Sequence, residues 1–70
     1  MSNKKLSTIA KNIRSHRKEK GFSQDRLSKE ADVAYNTIVK IESGVNPNPT
    51  IETLTKIAKA LEVGVDDLLK

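Results

Sequence analysis

Residues 23–44 read SQDRLSKEADVAYNTIVKIESG, and the order of elements in the chain turns on this stretch. Leu27 and Ala31 are four residues apart, Ile38 and Ile41 three apart, so each pair falls on one face of a helix. Ser23 stands where a hydroxyl accepts an orphan amide of a first helical turn. Asp32 occupies the break between the two runs, a place where aspartate tolerates backbone angles most residues avoid. Gly44 ends the second run by allowing a left-handed residue after the last turn. The pattern predicts two short helices, Ser23 to about Ala31 and about Tyr35 to Ser43, joined by a tight turn with Val33 facing inward. Tyr35, Asn36, Val39 and Lys40 are then left on the outer face of the second helix.

Outward from this pair, Leu6, Ile9, Ala10 and Ile13 recur at i, i+3, i+4 and i+7, predicting an amphipathic helix over Leu6–Lys20. Arg17 continues that apolar stripe, an unusual place for a guanidinium. Gly21 stops the helix, and Lys18 and Lys20 suit the negative end of its dipole. The segment VNPNP at 45–49 is a loop, since neither proline fits a helix interior. Thr50 caps a fourth helix whose apolar face is Ile51, Leu54, Ile57, Ala58 and Leu61. After Glu62–Gly64, a short last helix carries Asp66 and Asp67 in its first turn, where the dipole favours them, and buries Leu68 with help from Leu69. No strand candidate is longer than a few residues. The expectation is an all-α fold, a compact five-helix domain over residues 1–70 with an N-terminal arm at 1–5.

Seventy residues lie near the lower limit for a core that stands without disulfides or metal. There is no cysteine and a single histidine, His16, so no zinc or thiolate site is expected, and no cofactor or small-molecule ligand is evident. No apolar run approaches the roughly 20 residues of a membrane span, and MSNKKLST lacks the apolar region of a secretory signal. A soluble, cytoplasmic protein with no membrane partner is expected. No Ser/His/Asp or paired-carboxylate constellation supports an enzyme, and the adjacent Asp66 and Asp67 diverge on a helix. Charge is lopsided: residues 1–40 hold ten Lys/Arg and four Asp/Glu, a net of +6, whereas residues 41–70 hold three and five, a net of −2. A basic half suits a polyanion, and an outward polar helix face after a tight turn is the layout of a helix-turn-helix, here about residues 23–44.

Three segments carry a resemblance: IRSHRKEKGFSQDRLS, TIVKIESG and TIETLTKIAKALEVGVDDLL. In residue types, spacing and order they resemble the lambda-repressor and Cro-like DNA-binding domains, the xenobiotic-response-element family of bacterial and phage regulators. The similarity spans about Leu6–Leu69. It implies that the third helix enters the major groove of double-stranded DNA, with Tyr35, Asn36 and Lys40 at base edges and Thr37 alongside. Asparagine can bond adenine in bidentate fashion, and lysine can reach guanine O6 and N7. The resemblance further implies that Gln24 contacts phosphate and lies near Tyr35. Ser23 and the amides of that helix start add to the phosphate contacts. Thr50, Asn46 and Asn48 are implied at the backbone too, and Lys11 and Arg14 are expected near phosphates along with Lys4, Lys5, Lys18 and Lys20.

Arg17 and Glu42 occupy positions that such domains often fill with a buried ion pair linking the first and third helices. The dimer surface is implied around Val63, Gly64, Val65 and Leu69. Departures are Asp32 where glycine is common, Ser28 where alanine is common, and Ala34 where a capping Ser or Thr is common. The function implied is a sequence-specific transcription regulator, a repressor that binds a pseudo-palindromic operator as a homodimer and is nucleoid-associated when bound. The alternative is a protein-interaction module on the same scaffold, as in antitoxin-like partner binding. Asn36, Thr37 and Lys40 disfavour it, because acidic or apolar residues on that face would suit a protein partner better.

Overall fold

The first apolar stripe folds as helix α1, Thr8–Lys20, in a computed structural model that describes residues 8–46 and 48–70. The arm at 1–5, with Lys4 and Lys5, and the expected helix start at Leu6 lie outside the described residues. The other helices are α2 (Gln24–Ala31), α3 (Tyr35–Ser43), α4 (Ile51–Leu61) and α5 (Val65–Leu69). The fold is all-α, with five helices among the described residues. Helix α1 packs on α3, α4 and α5, while α2 packs on α3 and α4. One core joins them: Ile13 of α1, Leu27 and Ala31 of α2, Ile38 and Ile41 of α3, Leu54, Ile57, Ala58 and Leu61 of α4, and Leu68 of α5.

The breaks follow local chemistry. Ser23 Oγ accepts the Arg26 N–H at 2.9 Å, and Thr50 Oγ1 accepts the Thr53 N–H at 3.1 Å, each satisfying a first-turn donor. Asp32 closes α2 in the left-handed region at φ 57°, so aspartate performs the turn that glycine commonly makes. Glu62 does the same after α4 at φ 62°, a role the sequence did not mark. Gly64, by contrast, is extended at φ −81° and caps α5. The buried Ser28 donates to the Asp25 carbonyl at 2.7 Å, so its hydroxyl costs little against α2's neighbours.

Two expected core positions are corrected. Ile51 is 67% exposed and Leu69 is 50% exposed. Ile51 shares the azimuth of Leu54, but as the first residue of α4 it stands at the helix end. Helical period assigns a face; it does not say how far along the helix its neighbours reach.

Helix α5 is held at both ends of its short span. Asn12 Nδ2 donates to the Leu68 carbonyl at 3.0 Å, tying it to α1. The Asp67 carboxylate accepts the Gly64 N–H at 2.9 Å and the Lys70 ammonium at 3.3 Å. The Gly64 bond, then Lys70, holds this carboxyl below the ordinary aspartate value of 3.8. A lowered folded pKa contributes stability above the unfolded value and loses it as pH falls through the folded one. We therefore expect α5 to begin fraying as pH drops below 3.8, read from the backbone chemical shifts of Val65–Leu69. Asp67→Ala should show the frayed shifts already at neutral pH.

Candidate nucleic-acid interface

Helix α3 is divided lengthwise by burial. Ile38, Ile41 and Glu42 are buried, Thr37 and Val39 half-buried, and Tyr35, Asn36, Lys40 and Ser43 exposed. Asn36 and Lys40 are four residues apart and so stand one above the other on the outer face. Neither the Asn36 carboxamide nor the Lys40 ammonium has a partner among the described residues. A helix interior made of two isoleucines thus presents an unpaired amide and an unpaired cation in one direction. Ala34 starts the helix with no side-chain cap, and its carbonyl receives the Thr37 and Ile38 amides at 3.0 and 3.3 Å.

The other expected donors lie on α1, at the start of α2 and before α4. On α1, Lys11 and Arg14 are exposed and unpaired among the described residues, as is Lys18. Lys20 is different: its ammonium binds Glu62 at 2.8 Å and lies 5.7 Å from the Phe22 ring centroid, so its charge is partly answered within the chain. At the start of α2, Ser23 is occupied with its cap. In the loop before α4, the Asn46 amide donates to the Lys40 carbonyl at 2.9 Å, and Asn48 is exposed. Thr50 uses its hydroxyl fully, accepting from the Thr53 amide and donating to Thr53 Oγ1 at 3.0 Å. Whatever that helix start offers a ligand therefore comes from its backbone amides.

Beneath the face lies a charged network. Arg17 Nε donates to Glu42 Oε2 at 2.7 Å and Arg17 Nη2 to Glu42 Oε1 at 3.0 Å, a bidentate pair between α1 and α3. The two side chains are only 12% and 5% exposed. Arg17 Nη1 also donates to the Phe22 carbonyl at 2.8 Å, fastening the α1–α2 connection. The arginine on an apolar stripe was the sequence signal for this pair. Gln24 joins it: its Nε2 donates to Glu42 Oε1 at 3.1 Å. No local pattern in the sequence announces that contact. Arg14, Arg17, Gln24, Val39, Glu42 and Ser43 line an open cleft along this edge of α3.

The surface expected for self-association is mixed. Val63 and Val65 are half-buried against the core, whereas Gly64 and Leu69 are exposed. Val45, 72% exposed, joins Ile51 as a large apolar side chain in solvent that the sequence pattern did not single out. Among the described residues, no helix is long and apolar enough to cross a membrane.

The family profile described as helix-turn-helix matches residues 13–68. The chain is 40% identical over 60 residues to the HTH-type transcriptional regulator SlrR of Bacillus subtilis, covering 86% of this chain and 40% of SlrR. It is 39% identical over 61 residues to the HTH-type transcriptional regulator SinR of the same organism, covering 87% of this chain and 55% of SinR. It therefore spans about half the length, or less, of these relatives. The N-terminal DNA-binding domain of SinR from Bacillus subtilis superposes with a TM-score of 0.88 at 38% identity, covering 90% of this chain and 91% of that one. A crystal structure of SinR in complex with DNA gives 0.86 at 39% identity, covering 89% and 98%.

Proposed function

The chain belongs to the helix-turn-helix family, with the lambda-repressor and Cro-like domains, and on that premise we propose that it is a sequence-specific DNA-binding transcription regulator acting as a repressor. One observation carries the proposal: Asn36 and Lys40, unpaired among the described residues and one turn apart, project from a helix whose opposite face is locked in the core. In this proposal α3 lies in the major groove. Asn36 and Lys40 read base edges, and Tyr35 and Thr37 flank them. Ser23, Gln24, Lys11, Arg14, Asn46, Asn48 and Thr50 hold the backbone on either side and set the register. That SinR, which shares the fold of this chain at 39% identity, forms a complex with DNA supports DNA as the partner. The protein acts in the cytoplasm at the nucleoid, and its chemistry is recognition rather than catalysis.

One such helix reads only a few base pairs. We therefore propose a homodimer with recognition helices about 34 Å apart on a pseudo-palindromic operator. Leu69 and the Val63–Val65 corner form the contact in this proposal, and without a further association surface the dimer forms chiefly on DNA. Selecting bound fragments from random duplex DNA tests the whole reading: an enriched two-fold-symmetric site supports it, and no enrichment refutes it.

Affinity should also fall steeply with salt. Each phosphate neutralised by Lys11, Arg14 or Lys18 contributes about −0.9 to the slope of log K against log salt. A flat response between low and moderate salt would instead favour a protein-interaction module on this scaffold.

A further inference from the structure

Gln24 and Glu42 are 18 residues apart in sequence, yet the Gln24 carboxamide meets the Glu42 carboxylate at 3.1 Å. A carboxylate only accepts hydrogen bonds, so the carboxamide must turn its NH2 toward Glu42 and its Oε1 away. Glu42 does not move to suit: two Arg17 bonds hold it, and Arg17 is itself fastened to the Phe22 carbonyl. One carboxylate thus takes three donors and links α1, α2 and α3. One N–H of Gln24 is spent on Glu42. The second has no partner among the described residues.

We propose that Glu42 is a positioning residue for DNA binding, orienting the Gln24 carboxamide so that its remaining N–H faces a backbone phosphate at the start of α2. The inference rests on the DNA-binding function proposed above. An exposed glutamine turns freely about its last bond and offers oxygen to a phosphate as readily as NH2, and oxygen against a phosphate is repulsive. Anchoring one N–H on a rigid, buried carboxylate removes that orientation before DNA arrives, lowering the ordering cost of binding. Val39 and Ser43 close the other side of the same cleft. Gln24 is neutral, so its phosphate contact releases no counterion of its own.

A double-mutant cycle on DNA affinity tests this, using Gln24→Ala, Glu42→Asp and both together against the selected operator and a random-sequence duplex. Glu42→Asp keeps the charge opposite Arg17 but withdraws the carboxylate from Gln24. It is expected to weaken both duplexes about fivefold, the worth of one hydrogen bond, with an unchanged salt slope. In the Gln24→Ala background the same substitution should cost less than about twofold, because nothing remains to be oriented. Equal costs in the two backgrounds would overturn the inference and leave Glu42 a purely structural partner of Arg17. Failure of the wild-type chain to bind any duplex would overturn the proposed function itself, and the inference with it. Should Glu42→Asp not fold, the wild-type Gln24 side-chain amide decides by NMR. One strongly downfield proton protected from exchange, present free and kept on DNA, is expected; two protons at ordinary carboxamide shifts, both exchanging freely, would refute the anchor.

Discussion

Arg17→Ala is expected to destabilise the fold by about 3–5 kcal/mol, because it strands the Glu42 carboxylate in a site where only 5% of that side chain meets solvent. Against a total stability of roughly 5–15 kcal/mol for a domain, that is a large share, and the thermal midpoint should drop accordingly. The loss has two parts. Glu42 forfeits its bidentate partner, and the Phe22 carbonyl at the α1–α2 connection forfeits its donor. Glu42→Ala should cost a comparable amount, leaving the guanidinium without its charge. Removing both should cost less than the sum, since no uncompensated charge then remains inside. Small, additive losses in denaturant titrations of the three variants would mean that water already screens the pair, as in exposed ion pairs.

The second large effect separates specificity from affinity. Asn36→Ala is expected to cost roughly 1–3 kcal/mol on the preferred operator and to relax discrimination at one base pair in each half-site. The fold should be untouched, because Ile38 and Ile41 hold α3 from the other side and Asn36 is exposed. Lys11→Ala, an exposed cation on α1, should instead weaken all duplexes about equally, because a phosphate contact carries no base information. Binding curves over a panel of single-base operator variants read both. An Asn36→Ala protein with wild-type strength and base preference would remove α3 from its assigned role.

Both predictions draw on residues that could be singled out before the fold was in view, though for different reasons. Asn36 and Lys40 were legible because helix periodicity places Ile38 and Ile41 inward and so turns residues 36 and 40 outward. Arg17 was legible because it continued the stripe of Ile9, Ala10 and Ile13, where a charge demands a partner. That Glu42 supplies the partner came from resemblance; the bidentate geometry came from the packing of α1 on α3. The phosphate-side residues were less legible. Lys18 and Lys20 look alike in sequence, yet Lys18 is unpaired among the described residues and Lys20 is committed to Glu62, 42 residues away.

Helices α2 and α3, their caps and their buried faces follow from the sequence alone, because each depends on residues within a turn or two of one another. Ser23 with the Arg26 amide, Asp32 in the left-handed region, and the Leu27, Ile38 and Ile41 spacing are all of this kind. Tertiary structure alone decided that Ile51 lies in solvent at 67% exposure although it keeps the period of α4. It also bonded Asn12 to the Leu68 carbonyl and Gln24 to the Glu42 carboxylate. Those partners lie 56 and 18 residues apart in sequence. Local periodicity carries the direction a side chain takes from its own helix, whereas which atom it meets is set by how far and at what angle the next helix passes.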